Sequence, residues 1–206
     1  MPEIFDKVFR RYSQDAIEVA VASIFVLSTL YIIREHVSVE LLFRFSLLER
    51  VLGLVTVSFV VGKLANMIGN TIVKTIYWTV FQENRWNAVK EDFEDFRRIS
   101  NAGVQPVELN EKLITPPEIF RYMGNSESIR SQFENLENTD VFWKTFLGLL
   151  FMLLLLPIGQ SFFTYVYTTF AISILAALYT SYKCRRYWAH CGVNVLRIKS
   201  ARVKPE

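Results

Sequence analysis

TFLGLLFMLLLLPIGQSFFTYVYTTFAISILAALYTSY, residues 145–182, runs for 38 positions without a charged side chain. Elements of a soluble core alternate apolar and polar positions at their own period, whereas this run is apolar all round and about twice the ~20 residues that carry a helix across ~30 Å of hydrocarbon. Pro157, Gly159 and Gln160 interrupt it. Proline cannot continue a helix and glycine permits a tight reversal, so the run is predicted to be a hairpin of two spans, over 141–158 and 162–182.

The rest of the chain has the same blocked character. No charge occurs in the 15 residues 19–33 or the 12 residues 51–62, and at 206 residues, 51% hydrophobic and mean hydropathy +0.24, the chain is too apolar for disorder to be its main state. The opening MPEIFDKVFRRYSQD carries charge of both signs, and the apolar run behind it lacks a small-residue cleavage pattern. It reads as a first span, over 16–33, rather than a signal peptide. A further span lies in 51–81, which also holds Lys63, Asn66, Asn70 and Lys74. As a helix it would measure ~46 Å, longer than a bilayer core, so it tilts or projects a stem into the cytoplasm. The expected fold is an all-α integral membrane protein of four transmembrane helices, with a small cytoplasmic helical insertion between spans 2 and 3.

Orientation follows from lysine and arginine. Residues before span 1 hold three, residues 82–140 seven and the tail after span 4 seven, against three (Arg34, Arg44, Arg50) on the opposite side. Both termini are therefore expected in the cytoplasm of a multi-pass inner-membrane protein. Tyr31, Tyr77, Trp78, Trp143, Tyr187 and Trp188 fall near span ends, as interfacial aromatics do. The chain divides into 1–81 (N-terminal segment and spans 1 and 2), 82–140 (cytoplasmic subdomain), 141–182 (hairpin) and 183–206 (basic tail). Cys184 and Cys191 sit beside Lys183, Arg185 and Arg186 on the cytoplasmic side, where thiols stay reduced.

The insertion carries seven basic and 12 acidic side chains. Trp86, Val89, Phe93 and Phe96 form one apolar stripe on a charged stretch, which packs on its own subdomain or contacts a subunit or partner. Thr115, Pro116 and Glu118 make a capping box with proline at the first helical position, so a helix should start at Pro116. Gly124 and Asn125 should end it, and Ser126 should cap another running to about Asn138. The tail basics Lys183, Arg185, Arg186, Arg197, Lys199 and Arg202 suit anionic lipid headgroups or the acidic insertion. Residues 192–198 read as a short strand that could pair with 104–109. Residues 39–50 suit a short interfacial helix ahead of span 2.

Enzyme signals are weak: there is no phosphate-binding glycine loop, Gly-x-Ser-x-Gly elbow or HExxH. Cys184, His190 and Cys191 lack zinc spacing and a fourth ligand. No catalytic residue, metal or cofactor is expected. At ~100° per residue, Thr56, Lys63, Asn66, Asn70 and Lys74 share one face of span 2, and Gly62 and Gly69 fall together on another, where a neighbouring helix can approach closely. Charged and amide groups avoid lipid, so the polar face lines a cavity or pore of an oligomer or a ligand pocket, unless the lysines snorkel at the inner boundary. Glu18, the one acid within a span, is expected to reach Lys74 rather than Lys63, which leads to a homo-oligomer, a closed ring or tetramer, with Lys63 facing a hydrated axis.

This plan of four short spans, an acidic insertion of about 60 residues and a basic tail resembles the small four-span membrane components of bacterial antiphage defence operons, such as the membrane subunit of Kiwa-type systems. The resemblance implies a homo-oligomer that works with a separately encoded cytoplasmic protein, and it carries over no residue. The reading is thus a non-enzymatic oligomer that senses a membrane event and docks a cytoplasmic partner, with membrane lipids around it and no direct nucleic-acid binding. The alternative is an ion-conducting or permeabilising pore lined by span 2, and an enzyme acting on lipid stands third.

Overall fold

The computed structural model describes residues 2–33, 46–77, 79, 116–155 and 160–202. Among the described residues there are five α-helices and no strand: α1 (Pro2–Ile33), α2 (Leu47–Ile76), α3 (Pro116–Gly124), α4 (Glu127–Leu154) and α5 (Gln160–Arg202). Two of them, α1 over Tyr12–Tyr31 and α2 over Leu47–Ile76, are long and apolar enough to cross a membrane. Residues 192–198 belong to α5, so the expected strand is a helix. Its two valines turn inward there, with Val193 and Val195 buried and Ile198 exposed, and packing overrides their β-propensity. The proposed pairing segment 104–109 lies outside the described residues, as does the stripe of Trp86, Val89, Phe93 and Phe96.

Helix limits follow local chemistry. Ser46 and Glu49 form a capping box at the start of α2: the Ser46 amide and hydroxyl donate to Glu49 Oε2 at 2.7 and 2.8 Å, and the Glu49 amide donates to Ser46 Oγ at 3.3 Å. Residues 47–50, expected in an interfacial helix, are therefore the first turn of α2. Pro116 opens α3 and Gly124 closes it, as the sequence predicts. The helix that follows does not stop near Asn138, because α4 continues to Leu154. Asp140 accepts from Lys144 one turn on at 2.5 Å, so the polar stretch there is satisfied in helical geometry.

The chain forms two units. The first comprises Met1–Thr75 and Asn138–Leu178. Its helices approach over small residues: an added methyl at Gly62 would come within 2.7 Å of the Glu18 carbonyl oxygen, and one at Gly69 or Gly148 would overlap the backbone of Lys144 or Ala65. Ser58, Gly62, Ala65, Gly69 and Val73 thus make the buried face of α2, the small-residue packing that brings backbones into contact. Many large apolar side chains of this unit point outward, among them Ile24 (69% exposed), Val57, Val60, Met67, Ile172 and Leu175, whereas Leu147, Leu149, Leu150 and Val166 are buried.

The second unit, Ile76–Glu137 with Tyr179–Glu206, packs in the opposite way. Ile119, Met123, Phe133, Trp188, Ala189, Cys191, Val193 and Leu196 form one buried cluster of α3, α4 and α5. Phe133 meets Phe120 edge to face at 6.4 Å and stacks on Tyr187 at 6.1 Å. Tyr77 and Trp188, expected as interfacial aromatics, are buried, and Arg185 lies over the Tyr77 ring at 3.9 Å.

Candidate functional site

Charged and amide side chains of α1 and α2 come together in the first unit. Asp15 and Glu18 are one turn apart on α1, and Lys63 and Asn66 are one turn apart on α2. The two helices meet where Gly62 admits the Glu18 backbone. Lys63 Nζ contacts Asp15 Oδ1 and lies 2.6 Å from Glu18 Oε2. The Asn66 amide donates to Glu18 Oε1 at 2.5 Å. Glu18 is only 3% exposed, whereas the Lys63 side chain is 41% exposed. Burial of a carboxylate is tolerated when an ammonium and an amide satisfy it, as here. From α4, the Asn138 amide donates to Ser13 Oγ at 3.1 Å, and the Asp140–Lys144 pair stands on the helix whose backbone meets Gly69. Together these residues make a polar tier across α1, α2 and α4.

This arrangement corrects the charge assignment. Glu18 reaches Lys63, not Lys74, and Asp15 joins it, so Lys63 is neutralised inside a single chain. The inference that Lys63 needs a hydrated axis between subunits therefore does not follow from charge. The contact of Gly62 with the Glu18 backbone sets the register of α1 on α2 and puts Lys63 beside both acids. The part of Asp15 has a legible signal in the sequence: the Asp-x-x-Glu spacing on α1 matches the Lys-x-x-Asn spacing on α2.

The remaining residues of the predicted face diverge. Thr56 is exposed and its hydroxyl donates to the Leu52 carbonyl oxygen at 2.8 Å, Asn70 is half-buried, and Lys74 is exposed. Hydroxyls bond back to their own helices: Thr71 to Met67, Thr168 to Thr164, Thr169 to Tyr165 and Ser173 to Thr169, at 2.7–2.9 Å. Such back-bonding satisfies a hydroxyl without water or a neighbouring helix. Asn66 is served by Glu18 rather than by a hydroxyl.

On α5, Lys183 lies 5.5 Å from the Tyr179 ring centroid, Arg185 is held on Tyr77 and Arg186 is half-buried. Arg197, Lys199 and Arg202 lie on the same helix. The six tail cations are therefore positions on one helix, and the surroundings of Lys183, Arg185 and Arg186 differ from one another. Cys184 and Cys191 are thiols. Burial pushes the Cys191 thiol up to about 11, so it is chemically quiet at neutral pH. Burial, with Cys191 and Tyr122 alongside, also raises Tyr187, whose hydroxyl donates to the Ile129 carbonyl oxygen at 3.0 Å. Among the described residues no group of three or more potential metal ligands gathers. No protein-family model, curated protein or solved structure matches the chain.

Proposed function

We propose that the chain is a four-span integral protein of the inner membrane, with cytoplasmic termini, which senses a membrane event and docks a cytoplasmic protein partner. The observation that carries this reading is the opposite distribution of apolar side chains in the two units. The first puts Ser58, Gly62, Ala65 and Gly69 on the buried face of α2 and exposes many of the valines, leucines and isoleucines of α1, α2 and the apolar part of α5, while Val73, Leu147, Leu149, Leu150 and Val166 are buried. That pattern is unfavourable in water and suits hydrocarbon. The second buries its aliphatic and aromatic residues in a core of the kind that folds in water.

The polar tier of Asp15, Glu18, Lys63, Asn66, Asp140 and Lys144 then marks the cytoplasmic boundary of the bilayer, where ionic groups cost least. The last turns of α2 beyond it are the cytoplasmic stem. The remaining two spans are the apolar stretches of α4 and α5, which lie on either side of Pro157 in the sequence. Sensing is read from the two helices that contribute to both units: α4 and α5 each continue without a break from the apolar stretch into the second unit. A displacement of their lipid-facing turns is carried along hydrogen-bonded backbone rather than through a loop. Assembly as a homo-oligomer, in keeping with the resemblance to antiphage defence components, places the exposed Thr56 and Lys74 side of α2 against a second copy.

The test is capture of cytoplasmic proteins from native membranes by the tagged wild-type chain and by a Phe93→Ser/Phe96→Ser variant. Specific recovery of a cytoplasmic protein by the wild type, lost in the variant, supports docking through the stripe. Recovery of nothing cytoplasmic from properly inserted wild type contradicts it.

A further inference from the structure

We propose that the outward face of α5 formed by Tyr179, Lys183, Arg186 and His190 binds the phosphate of an anionic glycerophospholipid in the cytoplasmic leaflet. The inference rests on the membrane reading above and names a ligand for one surface of it. Lys183 is the first charged residue after the 38-residue uncharged run. A helix leaving hydrocarbon therefore presents it at the depth where lipid phosphates lie. At ~100° per residue the four residues fall within an arc of about 60°, and Tyr179 and Tyr182 at 60% and 41% exposure place amphipathic rings at the same depth.

The opposite face of α5 is committed to the protein interior. Trp188, Cys191 and Val195 are buried and Arg185 is held over Tyr77. Lys183 differs: it is exposed, its ammonium sits over the Tyr179 ring at 5.5 Å, and no carboxylate among the described residues pairs with it. Helix α5 has no acidic residue along its 43 positions, so Lys183 has no carboxylate neighbour on its own helix. An ammonium held beside aromatic rings and flanked by a guanidinium one turn on suits a phosphodiester monoanion, the charge that phosphatidylglycerol carries and phosphatidylcholine lacks in net terms.

The experiment compares phosphatidylglycerol and phosphatidylcholine retained by the purified full-length protein in mixed-lipid nanodiscs, measured by native mass spectrometry after release. A basic residue close to the surface contributes about fivefold, ~1 kcal/mol. Lys183→Gln alone should reduce the wild-type preference for phosphatidylglycerol roughly fivefold, and Lys183→Gln/Arg186→Gln roughly 20-fold, whereas Arg121→Gln on α3 should leave it within about twofold. An unchanged preference in the Lys183→Gln protein, which alters an exposed side chain and is not expected to disturb folding, overturns the proposal. So does displacement of the lipid by soluble glycerol phosphate, which assigns the face to a free anion. A crosslink from Lys183 to the acidic segment 82–115 in place of lipid retention assigns it to the chain's own insertion. Failure of the membrane reading itself looks different, because the protein would then stay soluble without detergent and never enter the nanodisc.

Discussion

Lys63 Nζ on α2 lies 2.6 Å from Glu18 Oε2 on α1, beside the point where the Glu18 backbone rests on Gly62. The ion pair and the close backbone contact are one device, since the missing side chain at Gly62 lets the helices come near enough for the pair to form. Lys63→Met strips the charge partner from a carboxylate that is 3% exposed. Orphaning a buried charge costs about 3–5 kcal/mol, and because Lys63 is partly solvated the expected loss is nearer ~2 kcal/mol. Thermal unfolding in mild detergent should fall by roughly 4–8 °C. Adding Glu18→Gln to Lys63→Met should recover more than half of that loss. A Lys63→Met protein as stable as wild type would show that Lys63 merely snorkels.

Gly69 and Gly148 make reciprocal contacts between α2 and α4, where an added methyl meets backbone that no rotamer change can move. Gly69→Ala and Gly148→Ala are each expected to destabilise by about 1–3 kcal/mol. Gly53 on the same helix has nothing within 4 Å. Gly53→Ala should be neutral or stabilising by up to ~1 kcal/mol through helix propensity. Melting curves of the three variants under one condition decide this, and equal effects at Gly53 and Gly69 would contradict the packing.

Alkaline stability provides a test confined to the second unit. Burial raises the Cys191 thiol from its ordinary value of 9.0 to about 11. Between these values the unfolded chain releases a proton that the folded chain retains, so rising pH favours unfolding. The contribution is complete below pH ~9 and lost by pH ~11, amounting to roughly 3 kcal/mol. Tyr187, raised mainly by burial, acts in the same direction. Cys191→Ala should be less stable than wild type at neutral pH yet show a shallower fall across this window. Parallel pH profiles for the two proteins would contradict the buried-thiol account.

The sequence made the helical class legible because charge-free runs and the Pro116 capping box act locally. It also showed the Gly62 and Gly69 approach, because spacing alone puts both on one face. What it hid was tertiary. Val193, Val195 and Ile198 read as a strand until a core formed by Ile119 and Phe133 gives a helix somewhere to bury its valines. Asn138, Thr139 and Asp140 read as a break until Lys144 and Ser13 satisfy two of them in helical geometry. The partner of Lys63 could not be assigned without the register of α1 on α2, which decides whether Glu18 faces Lys63 or Lys74, three helical turns further on.

The central claim, a chain that crosses the membrane four times with a cytoplasmic second unit, is tested most directly by single-cysteine accessibility. In a Cys184→Ser/Cys191→Ala background that still inserts, Ser46→Cys, Asn125→Cys and Gly159→Cys are each exposed to a membrane-impermeant maleimide, in spheroplasts and in inside-out vesicles. The account predicts that Ser46→Cys and Gly159→Cys are modified in spheroplasts and that Asn125→Cys is modified only in inside-out vesicles. Modification of Asn125→Cys from the same side as Ser46→Cys, or recovery of the protein in the soluble fraction, would contradict it.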